Sequence, residues 1–195
     1  MTFFIKNYYT LFFFYLFSIS GAYGKITDPT EAQLKIIPPY CQAQLTRDPV
    51  QREKWKKKLG KGYTWINHYC SGLVQQMNCV KIISKPKRNS CLKETLSTYE
   101  YVFNNAPRDF ALNPKLYYER GKIYSELGKT KLAEMDFIKS INLKPNTSSP
   151  YIELSKIYQR LNKNDDAIAI LQKGIKMSPN SQKLKNHLAK LKDAN

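Results

Sequence analysis

The segment 114–147, PKLYYERGKIYSELGKTKLAEMDFIKSINLKPNT, runs directly into 148–181, SSPYIELSKIYQRLNKNDDAIAILQKGIKMSPNS, and the second repeats the first at a spacing of 34 residues. Pro145 aligns with Pro179, Ala133 with Ala167, Tyr124 with Tyr158, Phe137 with Leu171, and Ser140 with Gly174. A fixed period of this length marks one supersecondary unit that cannot bury its apolar face alone and must stack on a copy of itself. In the first copy Leu116, Tyr117, Ile123, Tyr124 and Leu127 recur at helical spacing, and Gly128 supplies a left-handed stop. Thr130 is expected to cap a second helix whose buried stripe is Leu132, Ala133, Met135, Phe137, Ile138 and Ile141. The second copy follows the same plan with Tyr151, Leu154, Ile157, Tyr158 and Leu161, then Ala167, Ile168, Ile170, Leu171 and Ile175. Asn113-Pro114 and Ser149-Pro150 read as a capping side chain followed by proline at the first helical position. Gly121, Ser155 and Ala189 are successive 34-residue steps where a first helix must crowd its partner, and bulkier side chains fill the spaces between.

A small residue, then Tyr, Ala, an aromatic or Leu, a small residue and Pro, in that order, resembles the tetratricopeptide repeat over about 113–180. The resemblance implies an all-α solenoid of helix–turn–helix units that holds a protein or peptide partner and is not an enzyme. Two positions depart from the family pattern. Tyr117 and Tyr151 stand where it prefers Trp, and Arg120 stands where a leucine usually precedes the small residue. The units are expected at 114–147 and 148–181, with 182–195 as a capping helix that turns Leu184, Leu188 and Leu191 inward and lysines outward.

Two repeats are too few to stand alone, so the first half of the chain must cover the other end. Trp65, Ile66, Tyr69, Leu73, Val74 and Met77 give one helical stripe; Leu92, Leu96, Tyr99, Val102 and Phe103 give another. Together they predict a worn hairpin over 62–108, with helices at 62–79 and about 91–104 and a long basic connector, Lys81 to Ser90. Residues 25–61 read as an irregular or partly helical lead-in. Pro38-Pro39-Tyr40-Cys41, Trp55, Leu59-Gly60 and His68-Tyr69-Cys70 resemble the N-terminal region of uncharacterised bacterial exported tetratricopeptide proteins. Residues 1–24 read as a signal peptide: Lys6, an apolar run Leu11 to Phe17, then small residues through Gly24. The alternative is an uncleaved anchor, although the run is shorter than a spanning helix needs. A periplasmic or secreted location is therefore expected. In that setting an even set of cysteines, Cys41, Cys70, Cys79 and Cys91, favours disulfides. Three connectivities are open; the antiparallel hairpin favours Cys79–Cys91, which leaves Cys41–Cys70 to pin the lead-in onto the first helix. A metal site on Cys41, His68 and Cys70 lacks supporting ligand spacing.

No catalytic, cofactor or metal constellation is apparent. Gly128-Lys129-Thr130 imitates the end of a phosphate-binding loop, but the glycine required five residues earlier is Ile123 and no strand precedes it. The formal net charge is +17. Dense clusters lie at Arg52, Lys54, Lys56, Lys57, Lys58 and Lys61, and again in the connector at Lys81, Lys85, Lys87 and Arg88. Such fields suit acidic protein segments, anionic membrane or acidic wall polymer. Export removes nucleic acid as a partner, and oligomeric state is not specified. Lys122, Lys156 and Lys190 step by 34, at a position that lines the concave groove in the family it resembles. With Tyr118 and Ile152 beside them and Arg160 one turn on, they are the expected partner-binding row for an extended acidic peptide. The family's dicarboxylate clamp is not matched, since Tyr118 and Lys122 occupy positions where it has Lys and Asn.

Overall fold

A computed structural model describes residues 28–193; the leader expected at 1–24 lies outside the described residues. Three short helices, α1 (Glu31–Ile36), α2 (Pro39–Leu45) and α3 (Pro49–Leu59), lead through a 3₁₀ turn at Gly60–Trp65 into α4 (Ile66–Cys79) and α5 (Lys85–Asn105). Then follow α6 (Asn113–Glu126), α7 (Thr130–Leu143), α8 (Ser148–Arg160), α9 (Asn164–Met177) and α10 (Gln182–Asp193). Helices pack mainly on their sequence neighbours, so α4/α5, α6/α7 and α8/α9 form successive hairpins closed by α10. The expected all-α repeat stack with a stapled N-terminal cap is what the chain forms.

Both disulfides match the favoured connectivity. Cys41–Cys70 joins α2 to α4 with Cα atoms 5.2 Å apart, and Cys79–Cys91 joins α4 to α5 at 5.5 Å. Helices as short as α1 and α2 do not persist alone in water, so tertiary ties must hold them. Thr30 and Gln33 close a capping box on α1, and the Gln33 amide donates to Asn78 Oδ1 at 2.8 Å, fixing α1 to the end of α4. Tyr40 packs edge-on to Trp55 with ring centres 5.5 Å apart. No residue of α3 is buried.

Several local expectations are corrected. The basic connector is mostly helix: α5 starts at Lys85 with Pro86 in its first turn, and only 80–84 is loop. Residues 85–90 carry no apolar periodicity because their turns project past α4 into solvent, so periodicity alone could not find them. Thr130 is the first residue of α7 and makes no cap bond. α6 and α8 begin at Asn113 and Ser148, without side-chain caps. In α7 the buried arc is Ala133, Asp136, Phe137, Ser140 and Ile141; Leu132, Met135 and Ile138 face outward. Ala189 is exposed, because no further helix among the described residues crowds α10 there. Gly128 has the expected positive φ of 73°, and its counterpart one period on, Asn162, adopts 57°, the left-handed value asparagine tolerates best among residues with a Cβ.

Close approach is real at Gly121. A Cβ there would lie 2.7 Å from the Phe137 ring. Gly121→Val is therefore expected to cost about 2 kcal/mol through overpacking, read as a lower midpoint in urea; an unchanged midpoint would mean that Phe137 repacks freely.

Two apolar cores result. One gathers α2, α4, α5 and the near side of α6 around Tyr69, Leu92, Tyr99 and Leu116; the other gathers α7 to α10 around Phe137, Tyr151, Leu154 and Leu171. Tyr124 touches both. Arg120 bridges them. Its guanidinium forms a two-pronged bond to Asp136 on α7, at 2.7 and 2.8 Å, while lying 4.3 Å from the Phe103 ring of α5.

Candidate binding face on the first helices

α6, α8 and α10 lie side by side and share one face. Arg160 of α8 donates to Ser125 Oγ of α6 at 2.8 Å, and His187 of α10 feels Lys156 and Glu153 of α8. Successive positions 34 residues apart therefore form rows across this face. One row is Lys122, Lys156 and Lys190, as expected from the sequence. A second row, not anticipated, runs beside it: Glu119, Glu153 and His187.

The second row changes the electrostatics. Lys122 is ion-paired with Glu119, three residues before it on the same helix. Lys156 repeats the arrangement with Glu153 at 2.8 Å. In the third row position His187 replaces the carboxylate, and Lys190 has no ion pair among the described residues. Partial burial first, then the charges of Lys156 and Lys190, hold the His187 pKa below its ordinary value, so the imidazole is neutral at neutral pH. Along this row, positive charge is offset by a carboxylate at α6 and α8 and unopposed at α10. A lysine that keeps a carboxylate beside it has less to gain from an incoming one.

The remaining predicted residues divide in the same way. Tyr118 is half-buried, its ring 6.0 Å from Phe137 and 5.0 Å from Lys122 Nζ. Burial, then Glu119 and Glu153, push its phenol up to about 12, so it stays a neutral, partly apolar surface. Ile152 is a correction: it is only 6% exposed and belongs to the second core, because α8 has neighbours on both sides and buries more of its circumference than α6. Arg160 lies at the edge, committed to Ser125.

Where α1 and α4 meet α6, the face deepens into a cavity of about 360 Å³. Ile36, Ile37, Leu73 and Met77 supply apolar wall, and Lys115, Glu119 and Lys122 supply the polar side. The lead-in helices create this hollow, and Cys41–Cys70 holds the adjoining α2 to α4. Lys115 also lies 5.6 Å from the Tyr40 ring centre. At the opposite side of α4, His68 packs on Tyr101 with ring centres 4.6 Å apart and planes tilted by 55°, and Cys41 and Cys70 are bonded to each other, so these three side chains do not converge as a ligand set.

The tetratricopeptide repeat family model matches at 114–147 and again at 148–181. Residues 114–181 are tetratricopeptide repeats. No curated protein matches the chain. Among solved structures, the first tetratricopeptide domain of Spaghetti (RPAP3), bound to the HSP90 peptide SRMEEVD, is 22% identical, with 63% of this chain and 94% of that one covered and a TM-score of 0.46. The second such domain of human RPAP3, in complex with the HSP70 peptide SGPTIEEVD, is 19% identical, covering 56% and 93% at a TM-score of 0.43. The first domain of human RPAP3 is 21% identical, covering 63% and 91% at 0.42. The tetratricopeptide fold is a protein-interaction module, typically without catalysis, which directs attention to surfaces rather than to reacting groups.

Proposed function

We propose that the first-helix face binds an extended segment of a partner protein, with acidic residues of that segment toward α10 and an apolar residue in the cavity beside α6. The observation that carries this reading is the graded charge across three equivalent positions: paired at Lys122 and Lys156, unpaired at Lys190, with neutral His187 in place of a third carboxylate. A groove polar at one end and apolar at the other fixes the direction of a bound strand as well as its composition. The interaction takes place outside the cytoplasm in this reading. Support for export comes from the leader-like composition of 1–24 and from a chain whose four cysteines are all in disulfides.

Lys156→Glu combined with Lys190→Glu is expected to weaken binding to an array of extended acidic peptides by about tenfold or more, on about 1 kcal/mol per lost charge pair. Lys173→Glu, on the exposed side of α9, is the control and should leave binding unchanged. Equal losses from both variants would mean that net charge, not the face, governs capture. Mass spectrometry of the chain recovered from outside the cytoplasm tests export by its N-terminal residue.

A further inference from the structure

We infer that the disulfide-closed loop between α4 and α5 is a docking tip for anionic bilayer lipid. Ile83, at the loop's apex, is 97% exposed and Val80 is 53% exposed. Ile36 of α1, 72% exposed, lines the same hollow as Val80 and extends the apolar tip. Isolated surface hydrophobics are ordinary, but Val80 and Ile83 on one short loop, with Ile36 beside Val80, mark a surface with a partner.

Around the tip stand Lys81, Lys85, Lys87 and Arg88, and none of them forms an ion pair among the described residues. No acidic residue occurs anywhere between Glu53 and Glu94. That contrasts with Lys122 of α6 and Lys156 of α8, each of which keeps a carboxylate three residues away. An apolar point ringed by unpaired cations fits a surface that is anionic outside and hydrocarbon beneath. A soluble acidic polymer would satisfy the cations and leave Ile83 in water. Cys79, fully buried at the start of the loop, is bonded to Cys91 in the second turn of α5, so the tip needs little ordering when it docks. No helix among the described residues is long and apolar enough to cross a membrane, and this contact would be interfacial.

The test uses the intact chain, sedimented with vesicles of phosphatidylglycerol and phosphatidylcholine, with vesicles of phosphatidylcholine alone, and mixed with soluble polyglutamate. The expected result is binding to the anionic vesicles that Ile83→Asp weakens about tenfold or more, from the value of a buried isoleucine side chain. Lys85→Glu with Lys87→Glu should weaken it about thirtyfold or more, from the attraction of each cation to an anionic surface. In Ile83→Trp, brominated phosphatidylglycerol should quench an emission component absent from the parent, whose tryptophans are Trp55 and Trp65. Far-UV circular dichroism confirms that each variant keeps its helices, as substitution at a 97% exposed position should allow. No binding to anionic vesicles overturns the inference. So does binding that the variants leave unchanged, which would assign it to another segment of the chain. Polyglutamate binding as strong as vesicle binding, without quenching of Trp at 83, overturns it in favour of an acidic polymer.

Discussion

Arg120→Leu is expected to destabilise the fold by about 3 kcal/mol, and Arg120→Leu with Asp136→Ile to recover most of that loss. Removing one member of a buried ion pair leaves the other charge desolvated and costs about 3–5 kcal/mol. The charge left behind is that of Asp136, whose side chain is 7% exposed against 20% for Arg120. The same numbers predict an asymmetry. Asp136→Ile alone should cost less, because Arg120 keeps its contact with the Phe103 ring and can turn its head toward water. The double substitution is not arbitrary. One period on, the residues at these two positions are Leu154 and Ile170, so the second repeat already uses the apolar version. Guanidinium unfolding of the four proteins gives the coupling directly. A coupling below about 0.5 kcal/mol, the usual limit for independent sites, would show that the pair acts separately. Because Arg120 also touches α5, the double variant should regain global stability yet exchange amide hydrogens faster in 99–105 than the parent. That outcome would assign the ion pair to registering the two cores on each other rather than to holding either one.

The pair also shows what the sequence exposes and what it hides. The repeat fold was legible because two copies with the same amphipathic period constrain each other: Tyr124 and Tyr158, or Ala133 and Ala167, could not both be accidents of spacing. Arg120 was legible only as a departure. Its explanation lies sixteen residues away in Asp136, which departs from its counterpart Ile170 just as Arg120 departs from Leu154, so the two changes are coupled within one copy. The acidic row was hidden for a related reason. The 34-residue period relates lysine to lysine, whereas the carboxylate that pairs with each lies three residues before it, which on a helix is the adjoining position. Ile152 and Ala189 fail in opposite directions from one cause. Equivalent positions have unequal burial when α8 is flanked by helices on both sides and α10 is the last helix among the described residues. The start of α5 was unreadable by periodicity, because a helix that extends beyond its partner has no apolar face to show.

Loss of Cys41–Cys70 through paired alanine substitution is expected to cost about 3.5 kcal/mol, and loss of Cys79–Cys91 about 3 kcal/mol, from the chain entropy released when loops of these lengths open. The lengths are sequence separations of 29 and 12 residues. Entropy alone makes the two nearly equal, so the difference between them must come from what each one holds. Cys79–Cys91 joins helices that already pack along their length around Leu73, Leu92, Leu96 and Tyr99. Cys41–Cys70 holds a seven-residue helix, and the lead-in beyond it includes α3, which has no fully buried residue and packs on the first core only through Trp55 and Leu59. Without that bond α1 to α3 retain the Gln33–Asn78 and Tyr63–Gln44 bonds, the Tyr40 contacts and the packing of Ile37 on the first core, all spread over short helices. The Cys41/Cys70 variant should therefore lose amide protection first in 28–60, while 114–181 stays protected until the global transition. Its cavity beside α6 should open, since Ile36, Ile37 and Pro38 form part of the wall. The Cys79/Cys91 variant should instead unfold in a single, earlier transition. Urea curves and hydrogen exchange on the two variants decide the point: if both lose protection uniformly, the lead-in is an integral layer of the first core and not a stapled cap.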